Sequence, residues 1–131
     1  MGYAVELFIN EHEAMKLRET ISAIGSVMAD IGATPHVSLA VFDDVDVNSL
    51  VSVVADFVMR TPKIVLQFSS VGMFPGRENV LFLAPVVTRD LLVIHAGLHQ
   101  DLAELGLFAD ANYRPGKWVP HCTLSMEQPL E

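Results

Sequence analysis

The sequence predicts a mixed α/β fold of α+β character, with two related β-α-β units forming two lobes around a central cleft. Three observations predict it. Short runs of period-two hydrophobicity alternate with longer runs whose apolar residues step by three and four. A pentapeptide of proline, histidine, any residue, hydroxyl, leucine occurs twice, as Pro35-His36-Val37-Ser38-Leu39 and Pro120-His121-Cys122-Thr123-Leu124. The two histidines are 121 − 36 = 85 positions apart, and each copy sits on the second strand of a strand–helix–strand run.

Tyr3 to Ile9 alternates as a first strand. Asn10 then offers an N-cap, with Glu13 three places on as capping-box partner. Ala14, Leu17, Ile21, Ile24, Met28 and Ile31 form one apolar face, and Gly32 is the expected stop. His36 to Phe42 is the second strand. Asp43 to Val47 is an acidic turn without the glycine and distal glutamate of a calcium loop. Asp46 or Asn48 caps a second helix through Leu50, Val54, Phe57 and Val58, which stops before Pro62. Lys63 to Val71 and Asn79 to Pro85 form a hairpin around Pro75-Gly76-Arg77-Glu78-Asn79, and residues 72–76 are read as a turn. Thr88 caps a third helix with Leu91, Ile94, Leu98, Leu102 and Leu105 inward and Gly106 as C-cap. A loop over 109–119 leads into the last strand, His121 to Met126. The order is β-α-β-α-β-β-α-β.

The 131 residues fit one domain, spanning 1–131, and 51% of them are hydrophobic, enough for a real core. No apolar run approaches the length of a membrane span, and Met1 to Asn10 carries no basic leader region. Cys122 is the one cysteine, so no internal disulfide can form. A cytoplasmic protein is expected. The net charge of −8, with eight scattered Lys and Arg residues, disfavours binding to a long duplex, which draws its energy from many phosphate contacts. Arg114 and Lys117, just ahead of the second motif, are candidates for local positive charge.

The repeated motif carries the chemistry. Residues i and i+2 of a strand face the same side, so each copy presents an imidazole beside a hydroxyl. A hydroxyl two places after a histidine arises by chance roughly one time in eight; matching Pro and Leu in both copies brings coincidence to the order of one in a thousand. Two facing strands of this kind give an acid–base site needing no metal and suited to phosphodiesters. Histidine titrates near neutrality, so one ring can be the base on water and the other the acid on a departing ribose oxygen. The hydroxyls can donate to non-bridging oxygens as charge builds.

On these motifs and the element order, the chain resembles the 2H phosphoesterase superfamily, and most of all the 2′-5′ RNA ligase-like proteins, also described as RNA 2′,3′-cyclic phosphodiesterases. Val80-Leu81-Phe82-Leu83-Ala84-Pro85 resembles that family's strand before its last helix. The resemblance implies that His36 and His121 are catalytic and that Ser38 and Thr123 contact the phosphate. It implies metal-independent hydrolysis, or reverse ligation, of a 2′,3′-cyclic or 2′-5′ phosphodiester in RNA ends or small nucleotides, without a cofactor. Phe82, Tyr113 and Trp118 are candidates for the aromatic that lines the nucleotide pocket. The rival is a non-catalytic module keeping the cleft for a nucleotide or another anion. One departure concerns length. Family members continue for several tens of residues past the second motif, whereas 131 − 121 = 10 residues follow His121 here. That leaves a truncated or a minimal form, with a sheet edge open to pairing with another copy.

Other residues carry less. His95 and His99, four apart on the third helix, share a face, but residues 95–99 lack the glutamate of a His-Glu-x-x-His zinc helix, so a partly solvated flank is expected. Alternation sends Cys122 to the core side, away from His121 and Thr123.

Overall fold

A computed structural model of the chain describes residues 2–24, 34–76 and 79–126. β1 (Tyr3–Phe8) leads through Asn10, whose side chain accepts from the Glu13 N–H at 3.0 Å, into α1 (Glu11–Ala23). The helix buries Ala14 and Ile21 and closes at Ile24, which is 49% exposed. Of the expected face, Ala14 and Ile21 are therefore the buried residues of this helix. Met28, Ile31 and Gly32 lie outside the described residues. β2 (His36–Phe42) has the expected bounds, and β1 and β2 pair as a two-stranded sheet.

Asp46, rather than Asn48, caps α2 (Val47–Arg60), accepting from the Ser49 N–H at 3.3 Å. Its buried face is Leu50, Val53 and Phe57, while Val58 is exposed. Leu50–Val53–Phe57 and Leu50–Val54–Phe57 both step by three and four, so the apolar run alone does not distinguish Val53 from Val54. β3 (Phe68–Phe74) starts five residues later than expected and includes Gly72, Met73 and Phe74, so the reading of 72–76 as a turn is corrected. The partner strand dictates this. β3 pairs antiparallel with β4 (Val80–Pro85), from Phe68 opposite Pro85 to Phe74 opposite Val80. Beyond Pro85 one further backbone bond, from the Val86 N–H to the Gln67 carbonyl at 2.7 Å, joins the two segments. Asn79, which begins the expected strand, instead has φ of 45° and enters β4 from the left-handed region, which asparagine tolerates.

α3 (Arg89–Glu104) begins where the Thr88 hydroxyl accepts from the Leu91 N–H at 3.1 Å. It ends in a Schellman motif: the Gly106 N–H donates to Ala103 O, the Leu107 N–H donates to Leu102 O, and Gly106 takes φ of +72°. Leu91, Leu98 and Leu102 are buried as expected, Leu105 is exposed, and His95 takes a core position with 1% exposure. His95 is thus not a solvated flank. A 3-10 turn at Ala111–Tyr113 follows, then β5 (Cys122–Ser125), which extends the second sheet to the order β3-β4-β5. The strand is shorter at both ends than His121 to Met126, with His121 immediately before it.

The chain clusters into two compact units. One comprises Met1–Glu6, Ser38–Leu66 and Val87–Val119; the other comprises Leu7–Val37, Gln67–Val86 and Pro120–Glu131. They do not follow the two sequence repeats. In the first unit, α2 and α3 pack together, Leu39, Ala40 and Phe42 of β2 are buried, and Arg60 of α2 pairs with Asp56 at 3.0 Å and with Asp101 of α3 at 2.5 Å. In the second, α1 packs against β5 of the three-stranded sheet. Each connecting helix has been exchanged: the one between β1 and β2 shares a unit with β3–β5, and the one between β4 and β5 shares a unit with most of β2.

Candidate active site

Strand alternation positions the motif residues as the pattern requires. Along β2, His36 and Ser38 are half-buried while Val37 and Leu39 are fully buried. Along the second motif, His121 and Thr123 are half-buried while Cys122 and Leu124 are buried. Imidazole and hydroxyl therefore share a face in both copies.

His36, His121 and Thr123 all belong to the second unit. His36 Nδ1 lies 2.7 Å from the Thr34 carbonyl. A carbonyl only accepts, so Nδ1 carries the proton, and in the neutral ring the lone pair is on Nε2. Phe8 meets the His36 ring edge-on, with centroids 6.4 Å apart. Cys122, between His121 and Thr123, is fully buried on the opposite face of the strand. Burial pushes its thiol up from the ordinary value, and the His36 backbone only partly opposes the shift. A protonated buried thiol is a packing group rather than a nucleophile.

His121 is held by aromatic rings. Phe74 meets it edge-on at 4.8 Å between centroids, Phe82 lies at 5.3 Å, and the two phenylalanines are 4.5 Å apart. Register explains the cluster. Gly72 is opposite Phe82, and Phe82 is opposite Thr123, so the three form one row across the sheet. An added Cβ at Gly72 would sit 2.4 Å from Phe82 Cζ. The missing side chain is the space the ring occupies. An irregularity in the pairing between Leu81 and Phe82 sets this register for the motif strand.

Ser38 belongs to the first unit, with the remaining candidates. Trp118 is half-buried; its Nε1–H donates to the Ser38 carbonyl at 3.0 Å, and its ring stacks on His95 at 3.8 Å with a 7° tilt. His95 Nε2–H donates to the Tyr113 carbonyl at 2.7 Å and His99 Nε2–H donates to the Leu39 carbonyl at 2.8 Å. Burial is the main cause that takes His95 down to about 4, and it lowers His99 as well, so both rings are neutral at pH 7. Burial, then Asp110, pushes the Tyr113 phenol up. Arg114 spends its Nε–H on the Ala109 carbonyl at 2.7 Å and, with His99, Gln100 and Phe108, lines a groove of about 310 Å³. Lys117 is exposed. Among the described residues, no three His, Cys, Asp or Glu side chains converge as metal ligands.

Sequence reasoning missed Phe8, Phe74 and Gly72. A signal was present for the last two: a glycine inside a strand marks close approach, and Phe74 lies two places on, on the same face. Trp118 and His95 were each singled out, but nothing in their spacing of 118 − 95 = 23 residues signals a stack.

An α+β fold of this order, with two histidine–hydroxyl motifs, is consistent with the two-histidine phosphoesterase superfamily. Comparison of the sequence with protein families agrees: residues 30–131 match the 2′-5′ RNA ligase superfamily, and the chain belongs to it. The match covers both motifs. No curated protein matches the chain.

Proposed function

We propose that this protein is a metal-independent phosphodiesterase that opens 2′,3′-cyclic phosphates on RNA ends or small nucleotides, with the 2′-5′ linkage as the alternative bond and ligation as the reverse reaction. His36 and His121 are the acid–base pair. One imidazole, neutral, takes a proton from the attacking water; the other, as imidazolium, gives a proton to the departing ribose oxygen, leaving a phosphomonoester. Ser38 and Thr123 donate to the non-bridging oxygens as negative charge grows. Phe82, seated over Gly72 and beside His121, supports the reading by giving the pocket an apolar wall. The single observation that carries the proposal is the presence of His36, His121 and Thr123 in one compact unit, with both imidazoles half-buried.

The test is turnover of 2′,3′-cyclic nucleotides in EDTA by the wild type, His36→Ala and His121→Ala. Each general acid or base contributes roughly 10²–10⁴-fold, so each variant should lose at least 10²-fold in kcat. Turnover indifferent to either substitution would end the acid–base assignment. Binding of the nucleotide without turnover would identify a non-catalytic module.

A further inference from the structure

The acid–base chemistry assigns no work to His95, His99 and Trp118, yet these three converge on the strand that carries the first motif. The Ser38 carbonyl accepts from Trp118 Nε1 at 3.0 Å, and the next carbonyl, that of Leu39, accepts from His99 Nε2 at 2.8 Å. Neither donor is loose. The indole lies flat on His95, whose centroid is 3.8 Å away, and the His95 and His99 ring centroids are 4.4 Å apart. His95 is 1% exposed and is itself tied to the Tyr113 carbonyl at 2.7 Å. All of these residues belong to one compact unit, as does Ser38. A lone buried histidine is commonly a satisfied core residue. Here two histidines and the chain's one tryptophan place two donors on successive carbonyls of one strand, and the first of those carbonyls belongs to Ser38, the residue whose hydroxyl the proposed reaction uses on the phosphate.

We propose that Trp118 and His99 are positioning residues for Ser38: they fix the backbone at Ser38 and Leu39, and through it the direction of the Ser38 hydroxyl toward the phosphate. The inference rests on the phosphodiesterase reading and deepens it. Pinning a carbonyl fixes the peptide plane, and with it the Cα–Cβ direction of the residue that bears it. Catalytic groups displaced by about 1 Å can cost on the order of 10²-fold in rate, so a clamp of this kind acts on kcat more than on binding. His95 holds the indole plane and is not itself a donor to the strand in this scheme.

Trp118→Phe is the informative variant, because it keeps an aromatic ring on His95 and removes only the N–H. Expected are a fall in kcat on 2′,3′-cyclic AMP of about tenfold with KM changed less than about twofold, and faster amide hydrogen exchange at Ser38, Leu39 and Ala40. In a Ser38→Ala background the same substitution should change kcat by less than about twofold, since the hydroxyl it aims is gone. His99→Leu should behave like Trp118→Phe, with His99→Gln restoring part of the loss by returning a donor. Equal losses in the wild-type and Ser38→Ala backgrounds, or unchanged exchange in β2, would overturn the positioning role. A wild type inert in EDTA would instead overturn the proposed activity, and any positioning role in it would fall at the same time.

Discussion

At the residue scale, the structure makes two positions informative beyond the histidines. Gly72 is not a turn residue; it is the floor under the Phe82 ring, and a Cβ there would lie 2.4 Å from Cζ and 2.6 Å from Cε1. Phe82 is 6% exposed and flanked by Phe74 and His121, so the ring has little room to retreat. Gly72→Ala should therefore destabilise by about 1–3 kcal/mol, the usual range for overpacking, and lower kcat through the displaced His121 ring. Urea unfolding and turnover measured together check it; unchanged stability would show that the ring moves freely. Cys122 makes the opposite prediction. Its side chain is fully buried and its thiol is pushed up, so a disulfide reagent at pH 8 should leave it unmodified over minutes in folded protein and react at once in denaturant. Rapid labelling of the native protein would contradict the core placement.

At the scale of elements, the caps were legible in the sequence and the strand bounds less so. Asn10, Thr88 and Gly106 act as their side chains or backbone freedom dictate, because a cap is a local decision between neighbours. Thr88→Ala should cost about 1 kcal/mol, measured by urea unfolding, by orphaning the Leu91 N–H. The start of β3 was not legible, since it depends on pairing with β4 across the hairpin. The motif strands were readable to the side chain because strict alternation needs no tertiary knowledge. The burial of His95 was not, since it depends on Trp118 arriving from 23 residues away (118 − 95) to cover it. That burial makes α3 acid-sensitive. The His95 ring faces His99 and Trp118, with Arg114 beside His99, and no carboxylate among these partners compensates a proton. Its folded value is about 4 against 6.5 when unfolded, so between those pH values the unfolded chain binds more protons. Stability is fully present above pH 6.5 and falls as pH drops through the window, by roughly 3 kcal/mol from this group when it is completed. Chemical unfolding at pH 7, 5.5 and 4.5 checks the sign. His95→Gln, neutral throughout, should flatten the profile, and a profile as steep as wild type would assign the effect elsewhere.

At the scale of the whole molecule, the exchange of helices and the charge both bear on function. The two sequence repeats do not fold as two independent pieces. Each connecting helix contributes to the unit that holds strands of the other repeat, so neither motif is supported by its own repeat alone. Two β-α-β patterns with matching motifs were visible in the sequence, but the exchange was not, because hydrophobic periodicity tells a helix which face to bury and not which sheet to bury it against. Charge sets what such a molecule can hold. With a net charge of −8, and with the Arg114 Nε–H engaged by Ala109, the substrates we propose are small nucleotides and RNA ends rather than a long polynucleotide. A protein contacting six to ten phosphates loses about 10³–10⁵ in affinity between 50 and 200 mM salt, whereas a single contact corresponds to about three- to fourfold. For 2′,3′-cyclic nucleotides, kcat/KM should change by no more than about fourfold across that range. A fluorescently labelled 20-base-pair RNA duplex should give no anisotropy change at micromolar protein in 150 mM salt. Tight, steeply salt-dependent duplex binding would mean that cations remote from the motifs act together, and would move the substrate from small nucleotides and RNA ends to long RNA.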